Sequence, residues 1–126
     1  MAALILAWAV CVVGVSALLH EFGHAWTARA VGWKVIGLRW RWYGVAFVAD
    51  TDGKPDELWK VALGGLTATA LLALAFLAGT GLPEPAPLLF GFGFGLNAMV
   101  LLTNLVPIPR LDGGQVLVGL RRARSR

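Results

Sequence analysis

Charge is what this chain has least of. Only 14% of its residues are Asp, Glu, Lys or Arg, while 58% are hydrophobic; soluble domains carry about a quarter charged. Residues 2–19, 61–82 and 88–106 contain no charged side chain. A soluble domain of 126 residues could not hide that much apolar surface, and the apolar residues lie in runs instead of at periodic positions. An ordinary soluble fold is therefore excluded in favour of an integral membrane protein. Cysteine is nearly absent: Cys11 stands alone in the first run, which rules out a disulfide within the chain and reads as a small packing residue. Basic residues are missing from 1–28 and 61–109, so all eleven fall in two blocks, 29–60 and 110–126. Neither block makes a regular basic helix face with stacking aromatics, so the net charge of +4 does not point to nucleic acid. The blocks read as cytoplasmic flanks under the positive-inside rule. The first run also lacks a basic leader and is long for a signal peptide, and cleavage would strand His20 at a new terminus, so it is read as a retained helix.

What the chain does have begins where that run ends. As a helix, its eighteen uncharged residues rise about 27 Å, roughly one bilayer core. They lead into His20-Glu21-Phe22-Gly23-His24. Histidines four apart on a helix project from one face and can share a zinc ion. Glu21 occupies the place where an HExxH protease keeps its general base.

The expected fold is membrane α-helical, one domain over 1–126, with spans at about 2–30, 58–82 and 88–106. The segment 83–87, Pro-Glu-Pro-Ala-Pro, is a short loop free of Lys and Arg, as expected on the outer side. The N-terminus then lies outside and every basic residue inside. Residues 33–51 alternate Leu38, Trp40 and Trp42 with Arg39, Arg41 and Tyr43, which reads as a small membrane-associated β-hairpin or sheet between the first and second spans. Trp26, Trp33, Trp40, Trp42 and Trp59 are expected at headgroup depth, either as an aromatic anchor or, for Trp40 and Trp42, holding substrate. In the third span Gly91 and Gly95 form a small-xxx-small packing face, and Asn97 and Asn104 are amides on one face that need partners. Thr67 and Thr69 can bond their own helix backbone.

Both histidines are used by the motif, and a catalytic zinc takes three protein ligands. The remaining carboxylates are Asp50, Asp52, Asp56, Glu57, Glu84 and Asp112. Glu84 falls on the opposite side of the membrane, and the cluster 50–57 reads as solvated charge. Asp112 follows the third span in a motif loop at 104–114, Asn104-Leu-Val-Pro-Ile-Pro-Arg-Leu-Asp-Gly-Gly114, and returns to the side of His20 and His24. There Pro107 and Pro109 stop the helix, and Gly113 and Gly114 are expected to turn the backbone sharply beside the aspartate. Asp112 is the preferred third ligand.

The two motifs together, in this order and on matching sides of the membrane, resemble the site-2 protease family of intramembrane zinc metalloproteases. That family pairs HExxH with N-x-x-P-x-x-x-L-D-G on a later helix, and the likeness covers nearly the whole chain. It implies His20, His24 and Asp112 as ligands of one Zn2+, Glu21 as general base, and Asn104 near the substrate backbone or oxyanion. It also implies that the hairpin presents an extended substrate strand. Gly65 and Ala68 stand where the family's middle helix often has Pro and Asn. The chain has no room for an accessory domain and would be a minimal or truncated core.

The expected activity is hydrolysis of a peptide bond within or near the transmembrane segment of a single-span membrane protein, in a bilayer and without nucleic acid. An oligomer, or a partner supplying further helices, is compatible with it. The expected location is a bacterial cytoplasmic membrane, with the C-terminus and active site on the cytoplasmic side. The alternative is a non-catalytic zinc-binding membrane protein that holds a partner helix.

Overall fold

The computed structural model describes residues 1–41 and 44–125. Four helices and one antiparallel strand pair follow in the order α1 (Ala2–Ala30), β1 (Lys34–Arg41), β2 (Gly44–Asp50), α2 (Leu58–Gly79), α3 (Ala86–Leu105) and α4 (Asp112–Arg124). Three segments, Ala2–Ala30, Pro55–Gly79 and Ala86–Leu105, are long and apolar enough to cross a membrane. The fourth helix has thirteen residues and is too short to span.

On α1 the buried residues Val12, Ser16, His24 and Ala28 are spaced by four or eight, so the long helix hides one narrow stripe and leaves Leu4, Leu6 and Val10 outside. Its partner is α2, the central helix. The crossing is possible because Gly23 faces Gly64 and Ala68 with no side chain between the backbones; a Cβ on Gly64 would strike Thr27 and the Gly23 carbonyl. This is the close approach that small residues allow between membrane helices. On its other side α2 packs against α3, where Phe76 lies over Gly93 and Phe90 over Gly79. The glycine of α3 that takes part in this packing is thus Gly93. Contrary to the sequence expectation, a Cβ at Gly91 or Gly95 would meet nothing within 4 Å. Asn97 is fully buried and joins α3 to α1 by donating to Ser16 Oγ at 3.0 Å, and it also donates to its own helix at Gly93.

α1 ends as Gly32 takes φ +87°, which a glycine adopts without cost, and the chain turns into the hairpin. Leu38 pairs with Phe47 and Trp40 with Val45, with an irregularity between Val35 and Gly37. The hairpin sits on a small core of Ala28, Trp33 and Val61, against which Val35, Phe47 and Ala49 pack. Trp33 is therefore turned inward, its indole donating to Lys54 O at 3.0 Å, and does not serve in an aromatic belt. Trp26 and Trp40 are exposed. Trp42 and Tyr43 lie outside the described residues. Cys11 is exposed on the outer face of α1 and fills no gap in the packing.

The expected motif loop at 104–114 is shorter than its sequence suggests. Asn104 is still on α3, and Asp112 is the first residue of α4. Gly113 and Gly114 are helical and make no turn. They let α4 start against the end of α3: a Cβ on Gly113 would strike Leu105 O, and one on Gly114 would strike Ile108 O. Further along, Gly119 rests on Trp59 of α2.

Candidate metal centre

Three elements meet at one point. His20 and His24, one helical turn apart on α1, face Asp112 at the start of α4, and α2 backs both rings. His24 and Asp112 are buried and His20 nearly so. The donor atoms are close to equidistant: His20 Nε2 to His24 Nε2 is 3.1 Å, His20 Nε2 to Asp112 Oδ2 is 3.2 Å, and His24 Nε2 to Asp112 Oδ1 is 3.3 Å. Ligands about 2.0–2.1 Å from a tetrahedral ion lie about 3.3 Å apart, so the triangle has the dimensions of one face of a zinc site.

The hydrogen-bond network also fixes which ring nitrogens face one another. His24 Nδ1 lies 2.8 Å from Val61 O, a carbonyl that can only accept, so Nδ1 carries the hydrogen. Thr69 donates its hydroxyl to Gly65 O at 3.1 Å, so at 2.8 Å its oxygen accepts from His20 Nδ1. In the neutral rings both Nε2 atoms then present lone pairs to each other and to a carboxylate. Asp112 Oδ2 is buried and has no hydrogen-bond partner. Two lone pairs and a carboxylate directed at one buried point could hold a cation between them, and the imidazole–carboxylate set suits zinc. Burial works to raise the Asp112 carboxyl, but with no ion bound and the rings protonated, hydrogen bonds and charge from His20 and His24 outweigh it and hold the group at about 2.

Gly65 is what lets α2 come so near. A Cβ there would lie 2.3 Å from both Cε1 and Nε2 of the His24 ring. Glu21 points toward the hairpin, where Phe47 N–H of β2 donates to its Oε2 at 2.9 Å. The Phe47 ring stacks on His24, with centroids 5.6 Å apart and planes 15° from parallel. A cavity of about 280 Å³ opens onto the centre; His20, Glu21, His24 and Asp112 line it, as do Asn104, Arg110 and Gln115. Asn104 donates to Val100 O at 3.0 Å. Trp40, on the strand farther from α1, is not among the lining residues. Phe47, Arg110 and the Thr69 support of His20 were not singled out from the sequence. In the sequence Thr69 offers only a bond to its own helix backbone, and nothing in an alternating strand says which residue will face a helix.

A cluster of two imidazoles and a carboxylate, set among apolar helices beside a second carboxylate, defines a candidate zinc centre of the hydrolytic kind. No protein-family model matches the chain. Among curated proteins it is similar to "Putative zinc metalloprotease Rip3" of Mycobacterium tuberculosis, in strains ATCC 25618 / H37Rv and ATCC 35801 / TMC 107 / Erdman, with 28% identity over 109 residues in each. The match covers 81% of this chain but 28% of the relative, so the chain spans less than a third of the length of the curated relatives it matches. At the coarse level the similarity speaks for a protease.

Proposed function

We propose that the protein is an intramembrane zinc metalloendopeptidase, with His20, His24 and Asp112 as metal ligands and Glu21 as general base. The observation that carries this reading is the convergence of two Nε2 lone pairs and a buried carboxylate on one point, with Glu21 on the wall of the same cavity. When bound, zinc lowers the pKa of a water toward neutrality and polarises the scissile carbonyl. Phe47 N–H holds one oxygen of Glu21, and the other takes the proton of the attacking water and passes it to the leaving amine. The Val61 carbonyl and Thr69 hydroxyl keep both rings in the ligating tautomer. Arg110 and Asn104 line the cavity, and on this reading Arg110, or the second N–H of the Asn104 amide, would steady the carbonyl oxygen as it gains charge.

The substrate is a single-span membrane protein. A helix hides its peptide bonds, so the segment to be cut must unwind; pairing with the edge of β2 that β1 does not occupy would supply backbone hydrogen bonds, while Phe47 N–H stays with Glu21. Under the positive-inside rule the centre faces the cytoplasm. Cleavage of a single-span test protein by the purified chain with zinc, with Glu21→Gln alongside, tests the assignment. Loss of turnover with zinc retained is expected, and an undiminished rate in the variant would remove Glu21 from its role.

A second reading, a non-catalytic zinc protein that holds a partner helix, is favoured by one observation: the open Gly91–Gly95 face of α3. A lasting complex with a client helix, uncut in the presence of zinc, would select it.

A further inference from the structure

Glu21 and Phe47 form a partition between two cavities. One is the metal-centre cavity. The other is an apolar groove of about 380 Å³ between α1 and the hairpin, walled by Leu18, Phe22 and Ala25 of α1 and by Leu38 of β1. Resting on the peptidase reading above, we propose that this groove is the subsite for a large apolar side chain next to the scissile bond.

Position gives the first argument. The carboxylate that would take the water's proton lines both spaces, so a peptide bond brought to Glu21 has the groove within one residue of it. In an extended chain successive side chains point to opposite sides, so one flanking residue turns toward the metal-centre cavity and the other into the groove. Size gives the second. The groove lies near the lower end of the roughly 300–1,000 Å³ typical of small-ligand sites. That space holds a bulky side chain. Chemistry gives the third. The walls are mostly aliphatic and aromatic, with Glu21 and Arg29 as their charged members, and Phe22 and Leu38 are about half exposed. An apolar side chain covers Phe22 and Leu38, whereas a polar one set against them would lose its water to walls that are mainly apolar.

The test uses the full chain in detergent with zinc and a single-span substrate in which each residue flanking the cleaved bond is set in turn to Ala, Leu or Phe. At one flank only, the wild type should prefer Leu or Phe to Ala by about tenfold or more in kcat/KM. Ala25→Phe fills the groove and should reverse that preference toward Ala without altering the other flank. Leu38→Ala, at an exposed strand position that leaves the fold intact, should move the preference from Leu to Phe. Preferences unchanged at both flanks in an active Leu38→Ala protein would overturn the proposal and leave the peptidase reading standing. So would a uniform loss over all substrates, the result expected if a lipid or detergent chain occupies the groove. No cleavage of any substrate by zinc-loaded wild type would overturn the peptidase reading, and the subsite with it.

Discussion

Gly65→Ala should weaken zinc binding while leaving the protein folded. The added Cβ would lie 2.3 Å from Cε1 and Nε2 of His24 and 2.9 Å from Cδ2. Carbon atoms in contact sit about 3.5–4.0 Å apart, so the ring must retreat by about 1 Å or more. It cannot do so freely, because Val61 O holds Nδ1 and the Phe47 ring covers its face. The displaced atom is the ligating nitrogen, so the strain falls on the donor triangle. Disturbing the support of a metal-binding histidine typically costs 10–100-fold in affinity, or about 1.4–2.8 kcal/mol. Competition with a fluorescent chelator measures zinc affinity directly, with circular dichroism as the check on folding. Gly91→Ala is the matched control: its Cβ meets nothing, so zinc affinity should stay at the wild-type value and helix stability should rise by up to about 1 kcal/mol. A folded Gly65→Ala protein that binds zinc as tightly as wild type would refute the reasoning, since the ring would not then be held where the packing says it is.

Other outcomes follow from the same contacts. Thr69→Val removes the acceptor for His20 Nδ1 and should weaken zinc binding about tenfold with helix content unchanged, read in the same chelator assay. In the metal-free protein the Asp112 carboxyl, held at about 2 against about 3.9 when unfolded, contributes stability that is complete above the unfolded value and is lost as pH falls toward 2. Melting in detergent across that window should flatten in Asp112→Asn; an unchanged slope would mean that another carboxylate carries it. Removing zinc with a strong chelator should lower the melting temperature of wild type more than that of Asp112→Ala, because the ion binds the folded state.

The outline of the fold is legible in residue types. Three stretches without charge mark the helices that can span, because a charge at the centre of a bilayer is costly. Alternation in 33–51 marks the strands, and the spacing of His20 and His24 puts them on one face. Asp112 is reached from the motif that follows the third uncharged stretch. What stays hidden has physical causes. Cys11 faces outward and Gly91 and Gly95 stay open because lipid is as apolar as a packed interior, so hydropathy cannot tell the two sides of a spanning helix apart. α4 opens Asp-Gly-Gly, glycine being the poorest helix former after proline, and its short apolar run ends in arginines, so its residues do not read as a helix from Asp112. Gly113, Gly114 and Gly65 read as turn or family departure, whereas each is a place where another group comes too near for a Cβ. Thr69 and Phe47 serve the site through neighbours on other elements, a relation that spacing along one chain does not record.

X-ray absorption at the zinc edge, on purified wild type and Asp112→Ala, bears most directly on the central claim that His20, His24 and Asp112 hold one ion. The account predicts one zinc per wild-type chain with two imidazole nitrogens and carboxylate oxygen at about 2.0–2.2 Å, and loss of that oxygen or of the ion itself in the variant. Wild-type protein without zinc, or a zinc shell that Asp112→Ala leaves unchanged, would contradict it.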